Sequence, residues 1–331
     1  MDDIATSYFG NVLRVNKEPY QYITESDIHA ALIEKPAHYL GHLRSCLEAI
    51  SAGTAKMDLP AKQIFSDTGS DGDFRVMPCV INYPDRTVKT VKLVGTNTLQ
   101  QVIADQITVG KAFMIDSDEN FISHIFEGCL LSSARTGACA ALAAERLGND
   151  SRRLVIIGAG RVGYYSALYI STLLPINEII IHDLDEQRAQ QCAQQLDLQL
   201  PNCTISASHN MPEEACDILV LATTSRTPLY KKTSVASRLV ISLGADTDCQ
   251  HEVDEYWSTR ADVYVDTMDS QRYGDLRQWI ADSLVNAEDL TDLFTVIRNG
   301  VNSESDKPRL FISTGTALFD NMTMDYLVNG R

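Results

Sequence analysis

Leu154-Val-Ile-Ile-Gly-Ala-Gly-Arg-Val-Gly163 decides the fold of this chain. Its apolar, mostly β-branched start reads as a buried strand, and the glycines that follow at G-x-G-x-x-G spacing read as the turn that cradles a dinucleotide pyrophosphate. Gly158 suits the tight turn, Gly160 a close approach of backbone to phosphate, and Gly163 close packing of the next helix, whose N-terminus then faces the pyrophosphate. Ala159, Arg161 and Val162 complete this cofactor-binding turn. Three glycines alone are a weak signal. The setting strengthens it, because an apolar helix is predicted from Tyr164 to Leu174 and a second strand over Glu178-Ile-Ile-Ile-His-Asp183.

Asp183 ends that second strand about 25 residues after the first glycine, where a carboxylate accepts from the adenosine ribose hydroxyls. A carboxylate there repels a 2′-phosphate, so NAD(H) is preferred; nearby Arg188 leaves NADP(H) open, and Leu184 is grouped with the cofactor side. The alternative is that Asp183 caps a helix over 186–195, a place for which Asp185 is better suited.

Length and charge narrow the class. The 331 residues suffice for two domains with large cores. A net charge of −16 disfavours polyanionic partners, so neither nucleic acid nor a membrane surface is expected. The eight cysteines include no C-x-x-C pair, and His124, His182, His209 and His251 lack ligand spacing, so no metal is expected and these histidines read as structural. With no basic-apolar leader and no apolar run near the roughly 18 residues of a membrane span, a cytoplasmic location is expected.

From Leu154 to about Asp269 strand and helix patterns alternate, with strands expected at 203–208, 217–222, 238–243 and 261–266. That alternation predicts an α/β fold with a Rossmann-type, doubly wound parallel sheet. The earlier segment differs: helices at 26–33 and 37–52 precede β-rich stretches at 74–81, 87–94 and 106–116, a separate α+β domain. An alanine-rich helix from Leu131 to Leu147 bridges the two. A polar loop, Asn299 to Lys307, precedes a last strand at 309–313 and a terminal helix, expected to return to the first domain. The boundaries are therefore 1–130 plus 308–331 for the first domain and 131–307 for the NAD-binding domain.

Charged residues within apolar runs mark the site, because burying them unpaired costs several kcal/mol. Lys92 sits on the opposite face of its strand from Lys89, and Arg75 lies in a strand-like run. Arg135 lies near the expected start of the alanine-rich helix, where the dipole disfavours a cation unless an anion neutralises it. Asp246 closes a strand at the carboxyl edge of the parallel sheet, where ligands bind in such folds. Taken singly, each is also explained by a surface charge or a structural ion pair.

Several motifs in order resemble the ornithine cyclodeaminase/mu-crystallin family over nearly the whole chain: Met77-Pro78 with Val91-Lys-Leu-Val94, Leu131-Ser-Ser-Ala-Arg-Thr-Gly-Ala138, Ile157-Gly-Ala-Gly160, Gly244-Ala-Asp246 with Glu252 behind it, and Ser313-Thr-Gly315 with Leu318-Phe-Asp320. The resemblance implies that Lys92 and Arg135 hold the substrate α-carboxylate. It makes Asp246 the acid/base at the substrate nitrogen, with Lys92 beside it in the catalytic set. It implies that Thr108, Thr136, Thr223, Thr224 and Ser225 line the cofactor, and Arg135, Gly244, Asp246 and Thr314 are counted with them. Lys62 stands about where family members carry an arginine, keeping the charge and losing the bidentate fork. Arg75 stands where ornithine and lysine cyclodeaminases carry a glutamate for the substrate's side-chain amine, so a basic diamino acid fits poorly and a substrate with an extra carboxylate fits better. The function expected is an NAD-dependent oxidoreductase on C–N bonds of a small amino or imino acid, an imine reductase or amino-acid or opine-like dehydrogenase. Alternatives are a cyclodeaminase using NAD catalytically and a nicotinamide-dependent binding protein like the crystallin relatives. The resemblance also makes 1–130 plus 308–331 a substrate-binding and dimerisation domain and 131–307 the NAD-binding domain, and it implies a homodimer.

Overall fold

The structure is a computed structural model that describes residues 18–66, 72–104, 106–212, 214–234, 237–247, 249–301 and 305–330. Parts of the expected substrate domain (1–17, 67–71, 105 and 331) and of the expected polar loop (302–304) lie outside the described residues.

Two sheets organise the chain. Strands β1 (Gln21–Ile23), β2 (Lys56–Asp58), β3 (Gln63–Ser66), β4 (Asp73–Asn82), β5 (Thr87–Thr96), β6 (Thr108–Ile115) and β7 (Ile122–Glu127) form the first, in the order β1-β7-β6-β5-β4-β2, with β3 also on β4. All pairs are antiparallel except β1 with β7. Alternation along β4 and β5 turns Arg75, Met77, Cys79 and Ile81, and Val88, Thr90, Lys92 and Val94, to the buried face.

The second sheet contains β8 (Arg153–Ile157), β9 (Glu178–His182), β10 (Thr204–Ser208), β11 (Ile218–Leu221), β12 (Leu239–Ser242), β13 (Asp262–Val265), β14 (Thr291–Asp292) and β15 (Arg309–Ile312). Every pair is parallel, in the order β10-β9-β8-β11-β12-β15-β13-β14. Its central strands are buried throughout, as helices on both faces require. The doubly wound α/β expectation therefore holds.

The tail behaves differently from the expectation for 308–331. β15 lies between β12 and β13 in the parallel sheet, and only the helix Ala317–Asn329 reaches the antiparallel sheet. An apolar strand is stable in either sheet, so its own pattern does not choose. That helix is bolted down by buried Asn321, whose Nδ2 donates to Cys79 O, Val88 O and Thr90 Oγ1 on two adjacent strands. The alanine-rich helix runs from Gly128 to Leu147 and is buried along most of its length. A single apolar cluster runs from Ile28 and Leu43, through this helix, to Ile156 and Ile218 of the parallel sheet. A second, around Trp257 and Trp279, covers the sheet's other face.

Candidate active site

The glycine turn has the geometry its spacing demands. Gly158 has φ +105, and a Cβ there would lie 2.3 Å from Ala222 O; a Cβ on Gly163 would lie 2.0 Å from Gly158 O. Gly160, in contrast, has open space beside it, and the helix Arg161–Leu173 starts there with no side-chain cap. Uncapped N–H groups beside open space fit a pyrophosphate. Asp183 braces the turn, accepting from Ala159 N at 2.8 Å and Asp185 N at 2.9 Å. Asp185 caps the helix Glu186–Gln199 through Arg188 N, so Asp183 is not its cap. Leu184 is fully exposed, and the Arg188 side chain is about half exposed. Arg161 points to Cys129 Sγ and Glu25, and Val162 is half-buried against the core.

At the sheet's carboxyl edge one buried carboxylate fixes two loops. Glu252 accepts from Thr223 N, Thr223 Oγ1, Ser242 Oγ, Leu243 N and Gly244 N, tying the ends of β11 and β12 together. Burial raises its pKa, opposed by the N–H groups of Gly244 and Thr223. Asp275 in turn holds Glu252 N and Val253 N. Ser225 is held by its own loop, its Oγ donating to Thr227 O, while Thr224 is exposed. Thr314, just past the end of β15, donates its N–H to Ser270 Oγ. Asp266 orders that corner by accepting from Ser270 Oγ and Ser313 Oγ, each at 2.6 Å.

Lys92 and Arg135 meet beneath this edge. Lys92 Nζ donates to Ser132 Oγ (2.9 Å) and to Asp320 Oδ1 (2.8 Å), and Arg135 Nε donates to the same Oδ1 at 2.8 Å. This corrects the expectation for Arg135: the helix starts at Gly128, so Arg135 lies two turns inside it, where the N-terminal dipole has faded, and its neutralising anion is Asp320 rather than a ligand. The demand for an outside anion survives in another form, because two buried cations share one carboxylate. Arg135 Nη1 is buried without a hydrogen-bond partner among the described residues. Beside it Gly315, at φ +83, leaves open the volume that a Cβ would fill 3.2 Å from Nη2. Burial, then Arg135, pulls the Lys92 pKa down against the pull of Asp320.

Asp246 stands above these cations with its side chain one-third exposed. Arg75 Nη1 donates to its Oδ2 at 2.6 Å, while Nε and Nη2 of Arg75 grip Asp73. Arg75 therefore enters the site already paired. Thr96 Oγ1 supports Asp73 at 2.7 Å, and Thr108 lies opposite Thr96 on β6. Burial alone would raise the Asp246 pKa, but Arg75 first and Lys62 next outweigh it and hold the carboxyl below its usual range. Lys62 Nζ donates to Thr314 O at 2.7 Å and lies 3.7 Å from the centroid of the Tyr273 ring. Neither contact supplies a full negative charge, and burial brings its pKa down to about 8. Thr136 is buried one helical turn from Ser132, its hydroxyl spent on Ser132 O.

The structure thus brings Lys62, Arg75, Lys92, Arg135 and Asp246 together at the carboxyl edge of the parallel sheet. Asp320, Asp73, Tyr273 and Glu252 were not assigned roles from sequence. Asp320 and Glu252 stand within or beside quoted motifs, whereas Asp73 and Tyr273 carry no local signal.

A family model for the ornithine cyclodeaminase/mu-crystallin family matches residues 24–329. The chain belongs to this family. Among curated relatives, a Delta(1)-pyrroline-2-carboxylate reductase of Burkholderia ambifaria is 26% identical over 215 residues, 64% of this chain and 67% of that protein. An L-lysine cyclodeaminase of Streptomyces rapamycinicus is 25% identical over 224 residues, 66% of this chain and 65% of the other. The fold matches Thermococcus litoralis Delta(1)-pyrroline-2-carboxylate reductase, solved in complex with NADH and L-proline, at TM-score 0.82 and 20% identity, covering 92% of this chain and 95% of that one. It also matches the iminosuccinate reductase of Paracoccus denitrificans in complex with NAD+ at TM-score 0.76 and 18% identity, covering 94% and 96%. Among the described residues no helix is long and apolar enough to cross a membrane.

Proposed function

We propose that this protein is an NAD(H)-dependent oxidoreductase acting on a carbon–nitrogen bond of a small amino or imino acid, working as an imine reductase. The observation that carries this reading is the unbalanced cation pair: Lys92 and Arg135 share Asp320, and Arg135 keeps a bare buried N–H group over Gly315, within electrostatic reach of Asp246. A substrate α-carboxylate supplies the missing anion. Bound NAD(H) supplies or accepts the hydride at the substrate carbon. Arg135 and Lys92 fix the carboxylate and so aim that carbon, and Asp246 gives or takes the proton at the substrate nitrogen. Lys62, which rests on a carbonyl oxygen and an aromatic ring, favours a second carboxylate over the side-chain ammonium of ornithine or lysine, whereas Arg75 is already shared between Asp73 and Asp246. The finer roles of Thr108, Thr136, Thr223, Thr224, Ser225 and Thr314 along the cofactor belong to the same proposal, as does the division of the chain into substrate and NAD-binding parts.

We also infer a homodimer. Pro78, Val91, Phe113, Ile125 and Tyr22 face one another in register across five strands, on the side of the antiparallel sheet away from the site. Phe65 and Phe74 extend this apolar face, 54% and 46% exposed. A face of that kind needs a cover.

The test follows NADH absorbance with 1-pyrroline-2-carboxylate and with the imine formed from oxaloacetate and ammonia, beside an ammonia assay with ornithine and lysine. Net NADH oxidation with an imino acid is the expected outcome. Ammonia from ornithine without net cofactor change would replace this reading with a cyclodeaminase. Tight cofactor binding without turnover would leave a binding protein.

A further inference from the structure

Five residues along the last helix from Asp320, three side chains with metal-ligating atoms meet away from the active site. His42 and Cys46 stand one turn apart on the helix Pro36–Ser51, and Asp325 faces them from Ala317–Asn329. His42 Nε2 lies 3.2 Å from Asp325 Oδ2 and 3.6 Å from Cys46 Sγ, and the three ligand atoms all lie within 4.8 Å of one another. Around a tetrahedral ion with N and O donors at ~2.0 Å and sulfur at ~2.3 Å, neighbouring donors are separated by roughly 3.3–3.7 Å. The two measured separations match that geometry closely, and the third donor pair, Cys46 with Asp325, lies within 4.8 Å.

The surroundings suit a cation as well. Cys46 and Asp325 are buried and His42 is half-buried. Next to Cys46 lies the buried Tyr83 phenol, whose oxygen interacts with that thiol and is a candidate fourth donor or the partner of a bound water. Asp325 is oriented by its neighbours, accepting from Arg86 Nη2 on Oδ2 and from Asn329 Nδ2 on Oδ1, as supported metal carboxylates are. With Cys46 as thiolate, two negative charges and one arginine face a 2+ ion.

We propose that His42, Cys46 and Asp325 bind one divalent transition-metal ion of the zinc class, stapling the last helix to Pro36–Ser51. A mixed nitrogen, sulfur and oxygen set selects zinc or cobalt over magnesium or calcium. The role is structural. The last helix carries Asp320, so the staple steadies the carboxylate that Lys92 and Arg135 share. Binding releases two protons to solvent, one from the Cys46 thiol and one from the His42 imidazole that Asp325 holds protonated against the effect of burial.

The experiment titrates chelator-treated full-length protein with Co2+. The expected result is one cobalt per chain, with visible bands of tetrahedral cobalt and a near-ultraviolet thiolate-to-cobalt band, both removed by zinc. Cys46→Ser should abolish the thiolate band, and His42→Gln or Asp325→Asn should each weaken binding by more than about 10-fold. Cys249→Ser, at an exposed thiol, should change nothing. The wild-type spectrum decides even if a variant misfolds: absence of a stoichiometric thiolate band overturns the proposal, as does a band that survives in folded Cys46→Ser protein.

Discussion

Arg75 Nη1 donates to Asp246 at 2.6 Å while the rest of its guanidinium grips Asp73, so the acid/base residue of the proposed reaction titrates under a fixed positive charge. Asp246 is held below its usual pKa chiefly by Arg75 and then Lys62, against the upward pull of burial. Removing the cation destabilises the carboxylate, which raises its pKa. In Arg75→Met, the limb of the kcat/KM pH profile assigned to Asp246 should therefore move to higher pH, whether Asp246 gives or takes the proton. An unmoved limb would detach Arg75 from the proton chemistry. At this scale much of the site is legible in the sequence, because a lysine or arginine inside an apolar run requires a partner. The partner itself is not legible. Asp320 lies 228 residues from Lys92, and the proximity of the two depends on how the last helix crosses the antiparallel sheet. Likewise His42 and Cys46 show helical one-turn spacing, but only folding brings Asp325 to them.

At the scale of elements, β8, its glycine turn and the following helix act as one unit, since Gly163 packs so closely on Gly158 that any side chain would displace one or the other. Gly163→Ala should cost ~1–3 kcal/mol of stability through overpacking and weaken NADH binding as the turn opens. Chemical denaturation and a fluorescence titration with NADH measure the two effects, and unchanged cofactor affinity would show that the turn tolerates displacement. This unit is readable because three local signals agree: a β-branched run, glycines at fixed offsets and an apolar helix. β2 and β3 escape notice for the opposite reason, being three and four residues long with little buried surface to impose a pattern. The place of β15 also lies beyond local reading, because an apolar strand of four residues pairs equally well at several positions of a parallel sheet and tertiary packing chooses.

For the whole molecule, the two sheets share one apolar cluster, and the proposed pairing of two copies would bury the remaining apolar face. Phe113 sits at the centre of that face, between Val91 and Ile125. Phe113→Glu should convert the dimer to a monomer in size-exclusion chromatography with light scattering, because a buried unpaired carboxylate costs several kcal/mol per copy. A dimer that persists would place the interface elsewhere. The late position of β15 and the last helix has one more consequence. β15 completes the middle of the parallel sheet, and the next helix delivers Asp320 to Lys92 and Arg135. On the ribosome, neither the sheet's centre nor the charge balance of the reaction site can form until residues 309–329 have left the exit tunnel, so the nascent chain acquires both together, after the other strands of that sheet have emerged.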